Sequence, residues 1–272
     1  MITKNIALTN ADLLKYAPSV FGTPDENKTS DRYVHIPTIE VVDALRDAGF
    51  YPVSAGQTRV KNSDNEMSTK HLLRFRSREH MRMLLKDEEI PEIALTNAHN
   101  GTAIYNLMFA IFRCICGNQC VVASGTIADI KVKHIGTDVR AEIIKASIQL
   151  IGDAPKVFNR IGEWKKTMLT QEEQLAYARS VVTAKGTTLD VNPYSVLQHR
   201  RYQESTDGSG HRDLWKTFNV VQENIVKGGS RGYTEGGKRQ RMRGIKAVSE
   251  NVRMNKAMWQ LAEEMQKIKS NA

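Results

Sequence analysis

The sequence has little of what marks a secreted, membrane-spanning or metal-dependent chain. Its three cysteines, Cys114, Cys116 and Cys120, cannot all pair with one another, which argues against a disulfide framework and for reduced thiols. No uninterrupted apolar run reaches the roughly 18 residues of a spanning helix, and the start, MITKNIALTN, lacks the apolar segment of a signal peptide. The expected location is therefore the cytoplasm, with no membrane partner. Acidic residues are scattered without a paired-carboxylate or metal motif, so no catalytic residue, metal or cofactor is expected, and the chain does not read as an enzyme.

What is present is a core and an excess of positive charge. The 272 residues are 40% apolar, enough for one large domain or two small ones. Lys and Arg number 39 against 30 Asp and Glu, a formal charge of +9. A basic surface attracts polyanions, of which nucleic acid is the commonest in the cytoplasm.

The fold expected from patterning is α+β: an N-terminal helix on an antiparallel β-meander, followed by a helical C-terminal half. Thr9 to Asp12 can cap a short helix that Pro18 ends, and Thr38 is placed to cap a helix over 39–48, where Ile39, Val42 and Leu45 recur at helical spacing. From Phe50 the period falls to two. Alternation at Tyr51 to Thr58, KHLLRFR at Lys70 to Arg76 and Ile90 to Leu95 give the meander, joined by the run from Ile104 to Cys116, which periodicity alone leaves as a long strand or a buried helix and which reads as strand because Asn100-Gly101 turns before it and Gly117-Asn118 follows. Val121 to Val132 adds one or two short strands. Helices then follow near Val139, Val157 and Leu175, the last capped by Thr170 with Glu173 and stopped by Gly186. Residues 187–210 read as a mobile connection, 213–227 and 245–269 as helices, and 228–244 as a Gly-rich loop. The expected segments are 1–136 as sheet core, 137–186 as helices packed on it, and 187–272 as a basic helical region.

Two stretches concentrate the cations. Between Arg59 and Lys86 eight Lys or Arg meet only Asp64, Glu66 and Glu79, several of them on strands, which predicts a positively charged sheet face carrying Arg59, Lys70, Arg74 and Arg76. The segment GGSRGYTEGGKRQRMRG, Gly228 to Gly244, holds six glycines, five Lys or Arg and the single acid Glu235. Glycines let backbone amides approach an anion, and Lys227, Arg231, Lys238, Arg239, Arg241 and Arg243 can neutralise phosphates. The segment lies between helices and lacks the Gly-Lys-Ser/Thr ending of a P-loop, which argues against nucleotide binding. Of the aromatic residues, Tyr51 and Tyr233 neighbour Pro or Gly turns and are the expected base-stacking candidates, with Tyr33, Phe75, Tyr105, Tyr202 and Trp215 falling mainly to the core. The C-x-C-x3-C pattern, near His99 and His134, does not have knuckle spacing and is expected to pack in the core rather than hold zinc.

Several segments together carry a resemblance: APSVF, RYVHIPT, LRDAGFYP, QTRV, KHLLRFR, PEIALTNAHNGTAIY, FRCICGN, DLWKTFNVVQENIVKGG and RMNKAMW. In this order they resemble an uncharacterised family of phage, prophage and conjugative-plasmid proteins containing a domain of unknown function. The chain departs from that pattern at Ala98-His99-Asn100-Gly101, where Ser-His-Asp-Gly is expected, and at Asn118-Gln119-Cys120, where Asn-Gly-Leu is expected. The resemblance implies a mobile-element setting without an activity. At the level of fold, the helix, meander and helical order is similar to that of single-strand annealing recombination proteins. The expected function is an ATP-independent, single-stranded DNA-binding and annealing protein, working as a homo-oligomer and by that analogy a ring. The alternative is a protein-binding anti-defence or plasmid-maintenance factor without a direct role on DNA.

Overall fold

Thr9 and Asp12 form a reciprocal capping box at the start of α1 (Asn10–Tyr16), and Pro18 then begins a short 3-10 turn. This helix belongs to the first of two compact units, Met1–Ala154; the second is Pro155–Ala272. The computed structural model describes residues 2–4, 6–23, 37–58, 63–82, 89–100, 105–113, 118–121, 129–132, 139–200 and 204–271.

The first unit contains β1 (Ile2–Thr3), α1, α2 (Thr38–Asp47), β2 (Phe50–Gln57), β3 (His71–Ser77), β4 (Glu89–Asn97), β5 (Tyr105–Arg113), β6 (Asn118–Val121), β7 (Ile130–Val132) and α3 (Val139–Gly152). The strands pair antiparallel in the order β1 to β6, and β7 takes the other end of the edge of β5 that β6 uses. The expected α+β class and meander are what the chain adopts. β4 and β5 run from Glu89 opposite Arg113 to Thr96 opposite Asn106, a register centred one residue past Asn100; Gly101 of the expected Asn100-Gly101 turn lies outside the described residues. Pro52 sits in β2 at a register irregularity between Pro52 and Ser54, where a missing ladder N–H is tolerated.

Register sorts the side chains onto two faces. His71, Leu73, Phe75, Ile93, Leu95, Asn97, Leu107 and Phe109 share one, which α2 meets through Thr38. α2 also packs on β2 and α3, and α3 on β4 and β5. Val41, Val42 and Leu45 of α2 are buried, each such side chain contributing about 1.5 to 3 kcal/mol. The opposite face carries Leu72, Arg74, Arg76, Glu92, Ala94, Met108 and Ala110.

Thr38 is not the cap of α2. Pro37 occupies that position without a side-chain hydrogen bond, and the Thr38 hydroxyl is directed into the sheet instead. Tertiary partners outcompeted the local role that its position before an apolar run suggested.

The second unit contains most of α4 (Ala154–Lys166), then β8 (Met168–Leu169), α5 (Gln171–Lys185), β9 (Asp190–Val191), β10 (Arg212–Asp213), α6 (Leu214–Lys227), β11 (Arg231–Tyr233), β12 (Arg239–Arg241) and α7 (Val248–Ser270). Thr170 and Glu173 cap α5, and Gly186 ends it in the left-handed region at φ +66°. Trp164, Trp215, Phe218 and Trp259 form the core of α4, α6 and α7, with Trp164 and Trp259 centroids 4.5 Å apart and Trp215 stacked on Phe218 at 5.4 Å. Gln222 donates to Asn255 at 2.8 Å, joining the DLWKTFNVVQENIVKGG and RMNKAMW segments.

Two expectations change here. Within 187–210, the described residues are tied down rather than loosely connected: β9 pairs with β11, and Asn224 Nδ2 donates to the carbonyls of Val196 and Gln198 at 2.9 Å. Gly228 to Gly244 is not a loop but contains the β11–β12 hairpin. α3 packs on the sheet, whereas α5 packs on α6 and α7. Among the described residues, no helix is long and apolar enough to cross a membrane.

Candidate nucleic-acid interface

The hairpin register assembles what the sequence left dispersed. Arg231 lies opposite Arg241 and Tyr233 opposite Arg239, so these four residues share one face of the ribbon. All four are exposed, Tyr233 to 53%. β12 extends the pattern: Arg239 and Arg241 alternate with Gln240 and the buried Met242, and exposed Arg243 follows at the next odd position. The hairpin ladder continues past the strands, Met242 N donating to Ser230 O at 2.7 Å and Gly229 N to Met242 O at 2.9 Å. Arg239 and Arg241 are thus set about 6.7 Å apart by strand rise, and Arg243 lies just past the end of β12.

The ribbon is held against β9 by close backbone approach. A Cβ on Gly232 would lie 2.6 Å from the Asp190 carbonyl oxygen, so glycine is required there. Asp190 sits opposite Tyr233 and is the carboxylate in that row. At the tip, Thr234 N donates to Lys238 O at 2.9 Å and Lys238 N to Thr234 Oγ1 at 3.1 Å, presenting the exposed Lys238 side chain. Among the described residues, Arg231, Lys238, Arg239, Arg241 and Arg243 make no side-chain ion pair. Like charges directly opposite one another, as at Arg231 and Arg241, destabilise a bare ribbon.

The other expected contacts lie elsewhere. Lys227 is paired with Glu223 one turn back on α6. Arg59 lies outside the described residues, as do Tyr33 and Tyr202. Lys70 is half-buried immediately before β3. Tyr51 is also half-buried, and its hydroxyl accepts from Arg78 Nη2 at 2.8 Å. Phe75, Tyr105 and Trp215 are buried.

Arg74 and Arg76 correct the expectation of a charged sheet face open to phosphate. β3 has β2 and β4 on either side, and both guanidinium groups are buried beside Glu92: Arg74 Nε is 2.6 Å from Oε2 and Arg76 Nε 2.7 Å from Oε1. Arg74 Nη2 also donates to Ile111 O at 3.0 Å, and Arg76 lies 4.4 Å over the Phe112 ring. These cations serve the interior of the first unit.

A second polar cluster was not anticipated. Thr38 Oγ1 lies 3.0 Å from His71 Nε2, 3.1 Å from His99 Nε2 and 3.2 Å from Asn97 Nδ2, all buried. Tyr105 Oη lies 3.4 Å from the same atom, so a hydroxyl that donates once and accepts twice is shared among four polar groups, with Asn97 donating to it. Ser19 Oγ lies 3.0 Å from His71 Nδ1. Burial lowers the His71 pKa to about 4 against a small opposing effect of the Thr69 carbonyl, which keeps the ring neutral near pH 7. The cluster pins the start of α2 to β3, to the end of β4 at Asn97 and to His99 just after it. Cys114, Cys116 and His134 lie outside the described residues, and the side chain of Cys120 is not described. Among the described residues no group of three or more His, Cys, Asp or Glu is arranged to hold a metal ion.

A family model described as a domain of unknown function, DUF932, matches residues 27–259, which span both units and include the whole ribbon. The chain belongs to this family. Two relatives from Escherichia coli (strain K12), the UPF0380 proteins YafZ and YfjQ, are each 32% identical over 267 residues, covering 97% of this chain and 94% of theirs. No solved structure matches. The segments that carried the family resemblance are in large part structural in this DUF932 chain: KHLLRFR is β3, and the two C-terminal segments fall on α6 and α7.

Proposed function

We propose that this DUF932 protein binds single-stranded DNA through the β11–β12 ribbon, without nucleotide hydrolysis, and as a homo-oligomer brings complementary strands together during recombination of a phage or plasmid. The observation that carries the reading is the ribbon face, where arginines align beside one exposed tyrosine. An extended row of guanidinium groups suits successive phosphates of an extended strand, and Tyr233 supplies a ring on which a base can stack, a contact worth about 1 to 3 kcal/mol. Phosphate and stacking contacts leave base edges available for pairing, which annealing requires. A phosphate anion between Arg231 and Arg241 would also relieve their mutual repulsion.

The test is fluorescence-anisotropy binding to single-stranded and duplex DNA of equal length, with mass measured in parallel, followed by a strand-annealing assay without ATP. Tight, sequence-tolerant binding to single strands by an oligomer that accelerates annealing is expected. Negligible binding at physiological salt would refute the proposal and leave an acidic protein surface as the partner of the ribbon.

A further inference from the structure

Beside the ribbon, a groove of about 540 Å³ is lined by Lys185 at the end of α5, Thr188, Arg241, Arg243, Lys246 and Glu250. Its lining thus includes four cations and one carboxylate. That carboxylate is already engaged: Glu250 Oε1 accepts from Arg253 Nη2 at 2.7 Å and Oε2 from Arg253 Nε at 2.9 Å. Lys185 is half-buried, with Nζ donating to Ile225 O at 3.2 Å, and loss of hydration holds its pKa below the ordinary lysine range. An anion in the groove would offset that loss. Arg241 belongs both to the groove and to the ribbon face, and Arg243 follows it into the groove, so a strand lying along the ribbon has its continuation here.

We infer that this groove binds a phosphate monoester, the terminal phosphate of a nucleic-acid strand whose remaining nucleotides lie along the ribbon. A monoester carries about 1.5 to 2 negative charges at pH 7, against one for each internal diester, so an excess of cations in a confined groove selects the end over the middle of a strand. The inference rests on the proposed ribbon function for the path of the strand, and its charge argument adds Lys185 and Lys246, which are not on the ribbon, to Arg241 and Arg243.

The experiment compares three oligonucleotides of one sequence, bearing a 5′-phosphate, a 3′-phosphate or hydroxyls at both ends, binding to the full chain and to Lys246→Glu and Arg239→Ala. Lys246 is exposed, so its replacement leaves the fold intact. One phosphorylated end should bind about fivefold more tightly than the hydroxyl-ended strand, equivalent to about 1 kcal/mol. The end that gains identifies the strand polarity. Lys246→Glu should bring this ratio close to one, while Arg239→Ala weakens all three strands and keeps the ratio. Equal binding of all three strands to the unaltered chain, or a ratio that survives Lys246→Glu, would overturn the groove assignment. If Arg239→Ala leaves all affinities unchanged while the end preference persists and depends on Lys246, the ribbon reading fails and the groove assignment stands.

Discussion

Replacing Glu92 by glutamine separates charge that folds the chain from charge that binds a ligand. Glu92 contacts two guanidinium groups, at 2.6 and 2.7 Å, and all three side chains are at most 1% exposed. Glutamine retains the shape and one acceptor oxygen but removes the negative charge, leaving two cations in the interior. Removing one partner of a buried pair costs about 3 to 5 kcal/mol, and the retained hydrogen bond places Glu92→Gln near the lower end, about 3 kcal/mol. For a chain of this size each kcal/mol lowers Tm by about 2 to 4 °C, so a fall of about 6 to 12 °C is expected. The assay is thermal unfolding followed by circular dichroism at pH 7, alongside DNA binding by the folded fraction. An unchanged Tm would refute the interior role of the triad. Reduced DNA affinity per folded molecule, with Tm intact, would return Arg74 and Arg76 to the ligand-binding surface.

Three further predictions follow from the geometry. Thr38→Val removes the hydroxyl shared by His71, His99 and Asn97 and should cost about 1 to 3 kcal/mol in urea unfolding; a cost below about 0.5 kcal/mol would contradict its role as the junction of α2 with the sheet. The His71 pKa is about 4 when folded against a reference of 6.5, so its contribution to stability is fully present above pH 6.5 and lost as pH falls toward 4, about 3 kcal/mol in all; urea midpoints between pH 7 and 4 should fall less in His71→Gln, and parallel curves would rule the linkage out. Gly232→Val leaves every charge in place but drives a side chain against the Asp190 carbonyl, so single-strand affinity should fall at least about tenfold if ribbon geometry rather than net charge binds DNA; unchanged affinity would favour a diffuse electrostatic surface.

Elements with local chemistry were legible before the fold was known. The Thr9 cap, the Thr170 capping box, the Gly186 stop and the two-residue alternation of β3 are written in consecutive side chains, and the structure forms each of them, whereas the register shift between Pro52 and Ser54 puts Tyr51 on the opposite face of β2 from Ala55 and Gln57. The site was only half legible. The ribbon's cations were identified, yet six glycines among 17 residues read as a loop and hid strands of three residues each. The alternation Arg239-Gln240-Arg241-Met242-Arg243 was the available signal, with one apolar residue pointing inward between exposed arginines. Arg74 and Arg76 show the opposite error: alternation correctly put them on one face, but only the pairing of β3 with β4 brings Glu92 beside them. Lys185 and Lys246 could not be joined from sequence because the groove they line depends on the placement of α5, β12 and α7.

The most direct test of the ribbon reading is the salt dependence of single-strand binding after Arg231, Arg239, Arg241 and Arg243 are all replaced by alanine. Each phosphate contact on a single strand contributes about 0.7 to the slope of log affinity against log salt, so four lost contacts should reduce that slope by about 3 and weaken binding across unrelated sequences alike. A slope equal to that of the unaltered chain would show that these arginines do not hold phosphates and would contradict the account.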